Sequence, residues 1–462
     1  MTVCNMRKKI IGLLLLFVFI ITTGFGCKPS TTALQAKMTP ISIEMWGTED
    51  DSDAFTEIIN SYKVLHPFIT INYRKFRLDE YEDELLNAFA EDRGPDIFFI
   101  HNTWIKKYES KLVPMPAQIT MVFPVVQGTI QKETVPQERT AASLTLNDLK
   151  NNFVDVVSRD VVSDNQIWAL PMSVDTLALY YNRDLLNNAG LTDVPKYWNR
   201  DFQQSVKKLS RQDIKGGIVQ SGVALGGSQN ISRFSDILSV LMMQNGATML
   251  SDDGGVLFNQ VPVGASDTSY NPGAAALKFY TDFSNPIKEV YSWNGELTNS
   301  FEAFISGNLA FMFSYSYQLP VIKARAPKLN FGISPLPQIE GAVKNINFAN
   351  YWVEGVSKKS KYTNECWDFI QYMTKAENVK SYLDKTKKPT ALKSLISAQR
   401  QDLEIGVFAD QVLTAKSWYK GYNVKAAEAA LGEMIDEVVA DDTKIMQAMN
   451  MAASRVQQTI TQ

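Results

Sequence analysis

Three short apolar runs near the start of the chain, separated by two amphipathic stretches, restrict its fold more than any other feature. ISIEMW (residues 41–46) alternates Ile41, Ile43 and Met45, the period of a half-buried strand. ITINY (69–73) alternates in the same way, and DIFFI (96–100) is continuously apolar, as a strand covered on both faces would be. Between the first two runs, Phe55, Ile58, Ile59 and Tyr62 share a helical face. His66 and Pro67 end it, because the residue before proline avoids the helical region. Leu85, Leu86 and Phe89 mark a second helix that breaks at Gly94 and Pro95. Strand, helix, strand, helix, strand predicts an α/β unit with a largely parallel sheet.

Strand character resumes at QIWALP (166–171) and DTLALYYN (175–182), followed by a short helix ending at Gly190, a candidate left-handed cap. Residues 117 to about 150 show few strong periods and read as a surface excursion. NSFEAFISGN (299–308) reads as a helix, and LAFMFSY (309–315) and LNFGISPLP (329–337) as strands. From residue 363 onward the pattern is almost wholly helical.

Ahead of all this, Arg7, Lys8 and Lys9 precede an uncharged run from 10 to 21. The run is shorter than the roughly 20 residues that cross a bilayer, so it reads as a cleaved signal rather than a span. Gly24 and Gly26 before Cys27 resemble a bacterial lipoprotein box, although Gly24 stands where Leu is usual and Phe25 where a small residue is usual. That reading gives a signal peptide over 1–26, lipidation at Cys27 and a polar tether over 27–40; an ordinary signal with an incidental Cys27, or a retained anchor, are the alternatives. Translation starts at Met1 or Met6.

Most of the 462 residues remain after such cleavage, too many for one compact core, so two or three domains are expected. The net charge of −3 becomes more negative once Arg7, Lys8 and Lys9 leave, and no basic stripe is visible, which argues against nucleic acid. The three cysteines leave only Cys366 inside the folded part; Phe369, Ile370 and Met373 share its helix face, which predicts a core thiol rather than a nucleophile. Two histidines, His66 and His101, give little material for a zinc site or a histidine-based triad, and no cofactor or catalytic group is expected. The glycine cluster KGGIVQSGVALGGS (215–228) lacks the GK[ST] ending of a phosphate loop. EDDSD (49–53) lacks the glycine and distal glutamate of a calcium loop and reads as helix capping.

Aromatic residues recur beside expected strand ends and turns: Trp46, Trp104, Tyr180, Tyr181, Trp293, Tyr315, Tyr317, Tyr351, Trp352, Trp418 and Tyr419. Taken singly, each fits a core. Together they suit a carbohydrate, whose C–H face needs a flat apolar platform and whose hydroxyls need polar partners. Sheet-end loops are where open α/β folds place ligands.

In order along the chain, ISIEMWG, EDRGPDIFFIHNTW, IWALPMSVDTLALYYNRDLLNNAGL, SFEAFISGNLAFMFSYSYQ, FGISPLPQ, NFANYWVEGVSKKSK and SWYKGYN resemble the extracellular solute-binding proteins of sugar ABC importers, in the broad maltose-binding class. The resemblance implies an α/β, two-lobed periplasmic-binding-protein-like fold of type II, with a hinge of several chain crossings and a helical C-terminus. Lobe 1 would hold 41–174 plus 349–400, lobe 2 would hold 176–347, and helices in 401–462 would pack on lobe 2 and reach the cleft. It implies ligand contacts from Trp46, Gly47, Asn102, Trp104, Asp175, Tyr317, Tyr351, Trp352, Trp418 and Tyr419. Tyr317 stands where the family usually has a stacking Trp, and Tyr351 and Trp352 where it is usually rich in Gly, which implies a fuller pocket and disfavours a long oligosaccharide. The implied function is capture of a mono- or short oligosaccharide outside the cytoplasm by a lipid-anchored monomer, with delivery to a permease and no turnover. The rivals are a non-sugar solute (glycerol phosphate, polyamine, peptide), a secreted carbohydrate hydrolase, and an adhesin or sensor ectodomain that reuses the fold.

Overall fold

The computed structural model describes residues 38–129 and 132–461. The expectations for 1–26, for Cys27 and for most of the 27–40 tether lie outside the described residues. The chain forms two compact units, one of Ser42–Ile119 with Ala141–Gln462, the other containing Thr120–Thr140. The smaller unit carries most of a two-stranded sheet, Gln118–Gln127 with Glu133–Ala142, where the sequence shows only an excursion. Its run of β-branched and aromatic residues is interrupted by Pro124 and Pro136, which obscures the strand period.

The larger unit holds two five-stranded sheets. The first orders its strands Ile69–Lys75, Ile41–Gly47, Ile97–His101, Trp352–Ser357 and Leu112–Val113. Met45 and Trp46 pair in parallel with Ile97 and Phe98, as the strand–helix alternation requires. The sheet is mixed rather than largely parallel, because Trp352–Ser357 returns from far along the chain and enters antiparallel, Val353 opposite Ile100. Helix Asp53–Leu65 buries Ala54, Phe55, Ile58 and Tyr62, three- and four-residue neighbours on one face. Phe55 meets Tyr73 at 4.6 Å and Phe99 at 5.8 Å between ring centres. Ser52, at the head of that helix, makes no side-chain cap. Cys366 is fully buried on helix Thr363–Met373 with Trp367, Phe369 and Ile370, as its spacing predicts.

The second sheet orders Arg211–Gln212, Ile218–Val223, Leu309–Ser314, Ala178–Asn182 and Phe331–Ser334. The glycine cluster at 215–228 thus supplies a strand. The core of this half takes in Leu179, Phe202, Leu241, Phe311 and Trp293, and also Leu431, Met434, Met449 and Val456 from the C-terminal helices Val424–Ala440 and Ile445–Ile460. A three-stranded ladder stands apart from both sheets: Asp175–Thr176 runs antiparallel to Asn347–Asn350, and Ala415–Lys416 runs parallel to it. Among the described residues, no helix is long and apolar enough to cross a membrane.

Candidate functional site

Strand ends from the first sheet, the ladder, and helices of the second half converge on a cavity of about 840 Å³. This lies within the roughly 300–1,000 Å³ usual for small-molecule sites. The first sheet contributes Glu49 and Asp50 after Ile41–Gly47, and His101, Thr103 and Trp104 after Ile97–His101. Asn350 and Trp352 enter from the ladder and the strand that follows it. The other wall carries Arg233 and Asp236 at the head of helix Phe234–Gln244 and Ser239 midway along it, with Tyr317, Trp418 and Glu428.

One aromatic wall is built by edge-to-face packing. Trp104 and Trp352 meet at 5.4 Å and 77°, and His101 meets Trp352 at 5.6 Å and 77°. Opposite, Tyr317 stacks on Tyr315 at 5.9 Å and 17°. The Trp418 indole N–H donates to Ser239 Oγ at 2.9 Å, which fixes its ring, and Tyr419 packs against it at 5.6 Å and 88°.

The charged groups on the wall are largely paired with one another. Arg233 Nε donates to Asp236 Oδ2 at 2.8 Å and the Tyr315 hydroxyl donates to the same oxygen at 2.6 Å. Arg233 takes the left-handed conformation at φ 61, uncommon for a residue with a side chain, and this places its guanidinium beside Asp236. Lys388 Nζ lies 2.9 Å from Glu49 and 2.7 Å from Asp50. Burial raises the affinity of Glu49 for a proton, but the Lys388 ammonium outweighs it and holds the carboxyl below its ordinary range. Burial pushes the His101 imidazole down to about 4, aided by the nearby Arg233 charge. Neutral His101 then accepts from the Thr103 backbone N–H at Nδ1, leaving Nε2–H to donate to Asn350 Oδ1 at 3.2 Å. Burial likewise raises Glu428, which faces Arg233 and Asp236.

Of the residues expected from sequence, Trp104, Tyr317, Trp352, Trp418 and Tyr419 line this cavity. The other five stand off it. Trp46 is 8% exposed and packs on Phe76 at 4.6 Å, with its carbonyl accepting from Tyr81. At Gly47 an added Cβ would lie 2.8 Å from the Tyr73 hydroxyl oxygen and 3.1 Å from the Phe99 ring, so its bare α-carbon serves close packing. Asn102 and Tyr351 both donate to Asp160 Oδ2, at 3.1 and 2.8 Å, and Ser417 donates to Asp160 Oδ1 at 2.5 Å. Asp160 thereby ties together three distant segments, and burial raises its affinity for a proton. Asp175 is 7% exposed and bonded within the chain. The cavity also holds His101, Arg233, Asp236, Asn350, Lys388 and Glu428, none of them among the expected contacts, and Glu49, which the sequence places in a helix cap. The adjacency of Glu49 to WG (46–47) and of His101 to the end of DIFFI were signals that strand-end reasoning could have used.

Two sheets, a short ladder and an aromatic-walled cavity between strand ends define a binding protein of two lobes. The chain belongs to the bacterial extracellular solute-binding protein family, which matches over residues 46–380. It is 23% identical over 261 residues to a galactooligosaccharide-binding protein of Bacillus subtilis, covering 54% of this chain and 55% of the relative. It is 24% identical over 234 residues to the sn-glycerol-3-phosphate-binding periplasmic protein of Salmonella typhimurium, covering 47% of each. The chain thus spans about half the length of these curated relatives. Among solved structures, the cyclic alpha-maltosyl-1,6-maltose binding protein from Arthrobacter globiformis superposes with a TM-score of 0.70 at 16% identity, over 91% of this chain and 99% of that one. That likeness supports the two-lobed fold.

Proposed function

We propose that this chain captures a neutral carbohydrate, a mono- or short oligosaccharide, in the 840 Å³ cavity and delivers it to the permease of an ABC transporter. The observation that carries the reading is the pairing of aromatic rings on both walls, Trp104 and Trp352 against Tyr317 and Trp418, with hydrogen-bonding groups held by their neighbours. Such rings meet the C–H faces of a sugar, while Glu49, Asn350, Arg233 and Glu428 meet its hydroxyls. Nine carboxylate side chains against five lysines or arginines on the wall disfavour a phosphate ligand. The two innermost cations, Arg233 and Lys388, are already committed to Asp236 and to Glu49 and Asp50.

In this reading, residues 41–174 with 349–400 form one lobe, 176–347 the other, and the 401–462 helices pack on the second. The solute bridges both lobes and stabilises their closed arrangement, which docks on the permease. The protein acts as a monomer tethered through a lipid on Cys27. Tryptophan fluorescence of the purified chain, titrated with galactobiose, maltotriose, glycerol 3-phosphate and putrescine, tests this. Saturation by a sugar supports the reading; saturation by glycerol 3-phosphate or putrescine alone overturns it.

A further inference from the structure

Asp175 occupies the position where the family resemblance implies a ligand contact, yet its carboxylate is taken up by the chain itself. Oδ1 accepts from the backbone N–H of Thr176 at 2.8 Å and from that of Ser316 at 3.2 Å. Oδ2 accepts from the Ser316 hydroxyl at 2.7 Å. The two partners lie on different elements: Thr176 is in the ladder, whereas Ser316 follows strand Leu309–Ser314 of the second sheet. On the other side of Ser316's neighbour, the Tyr315 carbonyl accepts from the Tyr180 hydroxyl at 2.7 Å. The segment 315–317 is therefore fastened at Tyr315 and at Ser316, and its last residue is Tyr317, part of the cavity wall. Asp175 is not among the residues that line the main cavity; it borders an adjoining space, which shares Tyr317, Asn350 and Trp352 with that cavity and measures about 20 Å³. That is little more than the roughly 10–15 Å³ one water requires, and far below what a sugar ring needs.

We propose that Asp175 is a positioning residue: a clasp that fixes the ladder to the 315–317 turn, and so sets the Tyr317 ring in the cavity, without touching solute. The carboxylate has four acceptor sites and three are filled by these bonds. An amide in its place keeps the geometry, since its oxygen accepts from both backbone N–H groups and its NH2 donates to the Ser316 hydroxyl. The clasp is also sensitive to protons. Burial raises Asp175 to about 7, against the pull of its three hydrogen bonds, and Glu49 adds to the rise. The titratable groups around it are Tyr180 and Tyr317 on the second-sheet side, and Glu49, Asp50, Tyr351, Glu354, Tyr382 and Lys388 across the small space.

The test uses hydrogen exchange of the full chain without ligand, with Asp175→Asn, Asp175→Ala and Ser316→Ala. The clasp predicts at least 10-fold faster exchange at the Thr176 and Ser316 amides in Asp175→Ala, and little change in Asp175→Asn. Ser316→Ala, which deletes only the hydroxyl bond, should speed exchange at Thr176 by a smaller factor, about 3-fold. Relative to Asp175→Asn, the wild-type rates should shift as pH passes through about 7. Unchanged exchange in Asp175→Ala and Ser316→Ala overturns the proposal. So does loss of maltotriose or galactobiose binding in Asp175→Asn with exchange intact, since the charge would then touch solute. The inference rests on the carbohydrate reading only for that last arm. If neither sugar binds the wild type, that reading fails alone and exchange still decides the clasp.

Discussion

The Tyr351 hydroxyl donates to Asp160 Oδ2 at 2.8 Å, joining residues 191 positions apart. Tyr351 is thereby turned away from the cavity that its neighbour Trp352 faces. Tyr351→Phe removes one bond to a buried carboxylate and should cost about 2 kcal/mol of stability, read from the urea midpoint. Solute affinity should change little. A large affinity loss at unchanged stability would place Tyr351 in the site after all.

Trp352→Ala and Trp104→Ala each remove a wall of the cavity. Loss of a buried aromatic contact should weaken binding of the solute that saturates the wild type by about 2 kcal/mol, roughly 30-fold. Trp46→Phe keeps the packing on Phe76 and should leave affinity nearly unchanged. Equal effects from Trp46 and Trp352, measured by calorimetry, would contradict the placement.

Lys388→Met leaves Glu49 and Asp50 facing each other without their cation, in a setting where the three side chains are 12%, 27% and 10% exposed. Removing one partner of such a cluster should cost about 3 kcal/mol. Adding Glu49→Gln should recover part of that loss in a double-mutant comparison.

Two groups give stability opposite slopes with pH. Asp175 is raised to about 7, so the folded chain holds its proton more tightly than the unfolded chain; the stability it confers is complete below the ordinary carboxylate value and is lost as pH rises through about 7. His101 is lowered to about 4, so its contribution is present above the ordinary histidine value and is lost as pH falls through about 4. Thermal midpoints from pH 4 to 8 should therefore rise relative to wild type at the alkaline end in Asp175→Asn, and become less acid-sensitive in His101→Gln. Parallel wild-type and variant profiles would refute both assignments.

Much of this architecture was readable from residue spacing. The strands beginning at Ile41, Ile69 and Ile97 and the helices between them follow from their apolar periods, and the Cys366 face follows from offsets of three, four and seven. The aromatics Trp104, Tyr317, Trp352, Trp418 and Tyr419 were legible as ring residues beside turns. Tyr351 and Trp352 show the limit: neighbours on an extended chain point to opposite sides, and spacing alone does not say which side holds the cavity. The charged site was hidden for another reason. Lys388 finds Glu49 across 339 positions, and Arg233 gains its aim from a left-handed backbone that no local pattern announces. Gly47 reads as a site residue from its place at the end of the first strand; it does not line the cavity, and an added Cβ there would meet Tyr73 and Phe99.

The ladder that links the two sheets is two residues long at Asp175–Thr176, four at Asn347–Asn350 and two at Ala415–Lys416. A joint this narrow has little torsional stiffness, since a few φ and ψ angles absorb a rotation of one half against the other.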